Sequence, residues 1–261
     1  YVGMKLPRVF WGMFCLAVGF GCSVKEDRDL CPCRLVLDFS DVDTSVVPSA
    51  EIHLSTRGGF ISVAELNASD FSEPYVRNVP RSHLRLNVWY GMNGFSEIRD
   101  RLVIPYGMEC PEVYMHYAEF DTSTDQYMHE VVMRKNHCVV TFNVEGAQEH
   151  PYSLRVRGNV NGYRYDGYPL QGEFACVAYP DENGISRMVL PRQTDDSLLL
   201  DIDDGSDILK TFALGEYIAA SGYDWNVPDL PDISLDLEYY LTHMVLTVQG
   251  WNSEYVYNIV L

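Results

Sequence analysis

Apolar and polar residues alternate with a period of two along much of this chain. In Leu84-Arg85-Leu86-Asn87-Val88 every second side chain is apolar, and Ile233-Ser234-Leu235-Asp236-Leu237-Glu238 repeats the pattern. A strand turns successive side chains to opposite faces, so such a segment covers a core on one side and meets water on the other. The same pattern predicts strands at 34–39, 51–55, 112–120, 128–133, 138–144, 152–157, 173–179, 187–190, 244–249 and 254–261. Asp181-Glu182-Asn183-Gly184 predicts a hairpin turn between two of them. Short strands at this spacing point to an all-β fold of antiparallel sandwiches.

Helix is scarce. Residues 207–219 (DILKTFALGEYIA) predict one helix, with Ile208, Leu209, Phe212, Tyr217 and Ile218 on a shared face, Ser206 as N-cap and Gly222 as terminator. Gly215 in its middle weakens it by about 1 kcal/mol. A shorter helix is expected over 63–71. A boundary falls best near Arg134 to Asn136, where one set of strands closes and a fresh apolar run opens. It separates an N-terminal sandwich, 34–134, from a C-terminal one, 135–261, each of ordinary domain size.

Composition narrows the function. The 261 residues carry 19 basic and 37 acidic side chains, a formal net charge of -18. Phosphate backbones and anionic headgroups reward clustered Lys and Arg, so nucleic-acid binding is excluded as a default. A chain this long buries enough surface to fold without a metal or disulfide staple.

The N-terminus reads as an address. Lys5 and Arg8 precede Val9 to Phe20, twelve residues without a charge. As a helix that run is about 18 Å long, against roughly 30 Å of bilayer hydrocarbon, so it fits the core of a secretory signal and not a membrane span. Gly19-Phe20-Gly21-Cys22 comes next and resembles the lipobox of bacterial lipoproteins, with Gly19 and Phe20 where Leu and a small residue are usual. The resemblance implies a signal peptide over 1–21, acylation of Cys22, and a lipidated linker over 22–33. Ordinary signal cleavage or an uncleaved stub are the alternatives. Two or three acyl chains, at about 0.8 kcal/mol per buried methylene, hold a protein on a membrane almost permanently. Cys22-Ser23-Val24-Lys25-Glu26-Asp27 also resembles the lysine-plus-acidic tag of surface lipoproteins in Bacteroides-like bacteria.

Catalytic and metal motifs are near-misses. His129-Glu130-Val131-Val132-Met133 has four positions of HExxH, but Met133 stands where the second ligand belongs, and the segment alternates like a strand. Asp201, Asp203 and Asp204 before Gly205 resemble a calcium loop, yet the glycine is one position early and Phe212 stands in place of the bidentate Glu. A solvated acidic turn capping the following helix is the simpler reading. Asp229 and Asp232 are paired carboxylates that act only if the fold brings them into a cleft. No GxSxG, P-loop or GxGxxG is present. The expectation is no enzyme, no catalytic residue, no cofactor and no metal. Cys31-Pro32-Cys33 lacks redox or zinc-knuckle spacing. With Cys110, Cys138 and Cys176 it leaves an odd number of thiols, whose pairing, if any, is open.

Three segments together resemble the FimB/Mfa-type anchor subunits of fimbriae from Bacteroides-like bacteria. The first is Cys22, then Glu26-Asp27-Arg28-Asp29-Leu30-Cys31-Pro32 and the strand Leu35-Val36-Leu37-Asp38-Phe39. The second is Tyr165 to Tyr179 (YDGYPLQGEFACVAY) with its hairpin. The third runs from Phe212-Ala213-Leu214-Gly215-Glu216-Tyr217 through Tyr223-Asp224-Trp225 to Leu230-Pro231-Asp232-Ile233, ending in two strands around Trp251. The resemblance implies two tandem transthyretin-like antiparallel β-sandwich domains with one or two short helices. It implies a lipid-anchored, surface-exposed protein of the cell outer membrane at the fimbrium base. Its partners would be outer-membrane lipid and fimbrial shaft subunits bound by β-strand complementation, with the shaft tethered and its length limited. The final strand, 255–261, is followed by no apolar-alternating tail, which fits a terminator better than a shaft subunit. The second hypothesis is a surface binding module or tip adhesin, with glycans as a candidate ligand and Trp89, Tyr163, Tyr165, Trp225 or Trp251 as stacking platforms.

Overall fold

The computed structural model describes residues 31–92, 101–145, 152–203, 205, 208–238, 243–250 and 253–260. The N-terminal expectations, Cys22 included, lie outside them, as do Ser206, Asp204 and Trp251. The first series of strands is β1 (Cys33–Asp38), β2 (Ser49–Thr56), β3 (Ile61–Asn67), β4 (Tyr75–Val79), β5 (His83–Tyr90), β6 (Arg101–Val103), β7 (Tyr114–Asp121), β8 (Gln126–Glu130) and β9 (Arg134–Lys135). The second is β10 (His137–Glu145), β11 (Ser153–Arg164), β12 (Pro169–Ala178), β13 (Ile185–Pro191), β14 (Leu199–Asp203), β15 (Ile208–Phe212), helix α1 (Leu214–Ala220), β16 (Asp232–Glu238), β17 (His243–Gly250) and β18 (Ser253–Val260). The chain is an all-β sandwich protein, with one short α-helix among the described residues.

The strands form four sheets: β4-β1-β8, β3-β2-β5-β7-β9, β13-β10-β16-β17-β18 and β12-β11-β14-β15, with β6 added to β11. The same connectivity occurs twice. The first strand of each series, β1 or β10, pairs antiparallel with the fourth main strand, β4 or β13, and parallel with a late one, β8 or β16. The second strand, β2 or β11, pairs with a hairpin partner, β3 or β12, and with a return strand, β5 or β14. The two parallel pairs are mixed-sheet features that alternation cannot reveal.

Each sandwich core is built from the inward positions of these strands. Leu35, Leu37, Ile52, Leu54, Leu84, Leu86 and Val88 belong to one cluster. Cys138, Val140, Phe142, Leu154, Val156, Leu200, Ile202, Ile233 and Leu235 belong to the other. Burying a Leu, Val, Ile or Phe side chain contributes roughly 1.5–3 kcal/mol. The second cluster also takes Trp89 and Met115 from β5 and β7, and Leu102, Ile104, Cys110 and Val113 from the segment between them.

Both helix expectations change. Residues 208–212 form β15, paired with β14 as Leu200↔Phe212 and Asp201↔Thr211, so helix begins only at Leu214. The hairpin satisfies backbone groups that a helix through Gly215 would hold weakly. Gly215 sits in the first turn, where the backbone of Asp196 passes so near that a Cβ would lie 2.1 Å from its carbonyl oxygen. Gly222 does end the helix, its N–H on Ala219 O at 3.1 Å. The expected helix at 63–71 is strand β3 followed by a 3-10 turn at Ala68–Ser72, where Asn67 N–H donates to Asp70 Oδ2 at 2.8 Å. That turn buries Phe71, stacked 5.2 Å from Phe39. The hairpin at Asp181–Gly184 is present, Gly184 N–H donating to Asp181 O at 2.9 Å.

Candidate functional site

The two strand series interlock. Strand β6 leaves the first series and pairs with β11, placing Tyr163 opposite Leu102 and Gly162 opposite Val103. A Cβ on Gly162 would lie 2.0 Å from Leu102 O, so only glycine admits this approach. The chain beyond β6 then bridges the edges of β12 and β13. Gly107 N–H donates to Ala175 O at 2.9 Å, Cys110 N–H to Val189 O at 3.2 Å, and Val189 N–H to Glu109 Oε1 at 2.5 Å. In return, the tip of the β11–β12 hairpin docks on β5 and β7. Arg85 lies 4.1 Å over the Tyr165 ring, and the Tyr117 ring is 5.7 Å away.

Beside this seam lies a cleft of about 770 Å³. His116, Tyr117, Val132 and Arg134 line it from the first series; Gly167, Tyr168, Arg192, Gln193 and Asn226 line it from the second. Its floor is pinned by Arg192. The guanidinium donates to Asn136 Oδ1 and Trp225 O, to Val227 O at 2.8 Å and to Pro228 O at 3.2 Å. Burial pulls its pKa down. Tyr163 OH donates to Asn136 O and accepts from Arg192 N–H at 2.7 Å; burial pushes this phenol far up. Gln193 is buried, and its Oε1 has no hydrogen-bond partner.

Most charges near the cleft are already paired. Arg134 meets Asp229 at 2.8 Å, and Asp229 also accepts Lys135 N–H at 2.8 Å. Lys135 Nζ meets Asp232 at 2.5 Å, and Asp232 accepts Val139 N–H at 2.9 Å. The two carboxylates therefore fasten the β9–β10 passage to the 229–232 loop and are not an acid–base pair. Arg164 meets Asp166 at 2.6 Å and lies 5.8 Å over the Tyr168 ring, which is still 67% exposed.

The other candidates fall as follows. Asp201 is no calcium ligand: its carboxylate is buried and held by Arg157 Nε at 2.6 Å, by Arg157 NH2 at 3.0 Å and by Thr211 Oγ1 at 2.8 Å. The Arg157 contacts hold it below the usual carboxylate range. The acidic turn links two strands and caps no helix. Trp89 and Tyr163 are fully buried in the second core and cannot stack on a sugar. Trp225 is half-buried, edge-on to Tyr223 at 4.7 Å, and Tyr165 is covered by Arg85. Exposed rings outside that set are Tyr106, Tyr168 and Tyr179, of which Tyr168 lines the cleft. Cys31 is exposed; Cys33, Cys110, Cys138 and Cys176 are buried, and all five are free thiols. Burial pushes Cys138 and Cys176 up to about 12. His129 of the near-miss motif is on β8, its Nε2 2.9 Å from His116 Nε2 on β7.

At the start of β1, Arg81 ties two segments together: its Nε donates to Cys31 O at 2.9 Å, one NH to Ser123 O at 2.9 Å in the β7–β8 loop, and the other pairs with Asp125 of the same loop. Among the described residues no helix is long and apolar enough to cross a membrane.

No family model matches the chain, and no curated protein matches it in sequence. Its fold is similar to solved structures. A protein of Bacteroides thetaiotaomicron, provisionally described as polysaccharide-binding, superposes with a TM-score of 0.63 at 14% identity, covering 87% of this chain and 98% of that one. The fimbrial anchor protein Mfa2 from Porphyromonas gingivalis gives 0.58 at 13%, covering 87% and 100%. A provisionally described adhesin of Bacteroides ovatus gives 0.58 at 10%, covering 87% and 96%. The chain thus has the fold of the Mfa-type proteins that its sequence resembles.

Proposed function

We propose that this protein is a fimbrial subunit of the anchor kind, tethered to the outer membrane through acylated Cys22, which holds the shaft at its base and limits its length. The observation that carries this reading is the likeness in fold to the whole of Mfa2. The lipobox-like Gly19-Phe20-Gly21-Cys22 adds to it. We read the duplicated connectivity as two transthyretin-like domains, 34–134 and 135–261, with residues 101–113 crossing the seam. Shaft subunits would attach by adding a strand to an open sheet edge, where backbone groups give affinity and alternate side-chain pockets give choice. Strands β3, β4, β15 and β18 end their sheets among the described residues. The test is Cys22→Ala with membrane fractionation and imaging of fimbriae. Loss of the protein from the membrane together with shed or overlong fimbriae is expected; continued membrane attachment overturns the acylation, and unchanged fimbriae overturn the anchoring.

The cleft and its exposed Tyr168 favour a second reading, a surface binding module or tip adhesin. Tyr168→Ala then abolishes adhesion to a glycan-coated surface while leaving membrane attachment and fimbriae intact.

A further inference from the structure

The geometry points to a two-histidine site for a borderline divalent metal ion such as Zn²⁺, formed by His116 and His129 at the lip of the cleft. The inference is independent of the fimbrial reading and departs from the expectation of no metal. The HExxH near-miss supplies one ligand, but its partner comes from thirteen residues upstream on another sheet. His116 stands on β7 of the five-stranded sheet and His129 on β8 of the three-stranded one. Their Nε2 atoms face each other at 2.9 Å. Tetrahedral coordination with Zn–N bonds of about 2.0–2.1 Å needs the two nitrogens about 3.3 Å apart, an opening of about 0.4 Å.

The surroundings suit ligation. His116 Nδ1 is 3.1 Å from Val132 O and 3.3 Å from Val132 N. One tautomer accepts Val132 N–H at Nδ1 and the other donates Nδ1–H to Val132 O; metal binding selects the second, which turns a lone pair on Nε2 toward the ion. That donated bond is the outer hydrogen bond that fixes ligating histidines. In the metal-free pair one Nε2 must carry the proton between the rings. On binding, His129 carries its proton on Nδ1 instead, so the metal replaces a shared hydrogen and none need be released. The cation that bears on His116 is Arg134, itself paired with Asp229. Phe120 packs 5.2 Å from the His129 ring. Among the described residues no third His, Cys, Asp or Glu joins them. The remaining positions therefore fall to water entering from the cleft, which His116 lines. A bound ion would join the two sheets at an open edge, and binding only the folded state it would raise stability.

The test uses the untagged chain from residue 22, with Cys22 and Cys31 changed to Ser so that no accessible thiol competes. Calorimetric titration with ZnCl₂ is expected to give one ion per chain. His116→Gln and His129→Gln should each weaken binding at least about tenfold, with His83→Gln unchanged. Cu²⁺, bound more tightly by such ligands, should show two imidazole nitrogens in its paramagnetic resonance spectrum, and imidazole ¹⁵N shifts on Zn²⁺ addition should move for two histidines. These spectra need no substitution at the site, so misfolded variants do not spare the proposal. Absence of stoichiometric binding up to about 1 mM, binding that survives either Gln substitution in a folded protein, or a spectrum with fewer than two imidazoles overturns it.

Discussion

The two halves share one connectivity and differ most at one edge. In the first, β8 flanks β1 and ends its three-stranded sheet. In the second, β16 holds the equivalent place beside β10 but is continued by β17 and β18. One plan thus yields a narrow sheet that leaves β4 and β8 as ladder edges and a broad sheet whose edge lies two strands further out. The pattern on each central strand is alike, so the difference arises from the strands placed after β8 and β16 in the chain. A sheet grows wherever the next hairpin can reach an unpaired ladder. The halves differ in self-sufficiency too. The first core draws on residues 33–131, whereas the second borrows Trp89, Met115 and the Leu102–Val113 segment from the first.

The comparison breaks hardest in the core. Phe142→Ala, fully buried in β10, should cost about 3–5 kcal/mol by denaturant titration, and Phe39→Ala in the first half a similar amount. Because the halves interlock, wild-type protein should unfold in one calorimetric transition. Gly162→Ala should cost about 2–4 kcal/mol, split that transition, and expose the 101–113 segment to proteolysis, since the new methyl meets Leu102 O. Arg192→Met should cost about 1–3 kcal/mol by stranding the carbonyls of Trp225, Val227 and Pro228, and Arg192→Lys should recover little of it.

Acid should weaken the first half next. His116 is held neutral at about 4 when folded and takes up a proton near 6.5 when unfolded, so the unfolded chain binds more protons between those values. Its contribution is complete above pH 6.5 and is lost as pH falls toward 4; His116→Gln should flatten that slope in urea titrations. The smallest effect is at the seam's rim. Arg187 and Glu112, both half exposed and 2.6 Å apart, should contribute under about 1 kcal/mol in a double-mutant cycle.

The long inward-alternating strands are legible in the sequence because one face of each meets a core. That is how β5, β10 and β16 stand out. Strands β6 and β15 do not, the one being short and the other fitting a helical face as well, and the β1–β8 pairing joins segments about ninety residues apart with no local mark. Trp89 and Tyr163 mislead for a physical reason. Trp89 is on the face of β5 opposite Leu86 and Val88, which alternation assigns to water, yet the second half covers that face. Tyr163 is buried where β6 crosses it. Arg192 carries no spacing signal, since its partners are carbonyls from a distant loop. His129 draws notice for the wrong neighbour; its contact with His116 depends on how two sheets stack.

The grip of Arg81 on the start of β1 bears on mechanics. β1 lies in the middle of its sheet, bonded to β4 on one side and β8 on the other. A pull on its N-terminal end runs along the strand, so both ladders resist in shear and many bonds must give at once. An edge strand tugged sideways would peel one bond at a time. On the proposed anchoring role, a filament straining against its root would meet this sheet in its strongest direction.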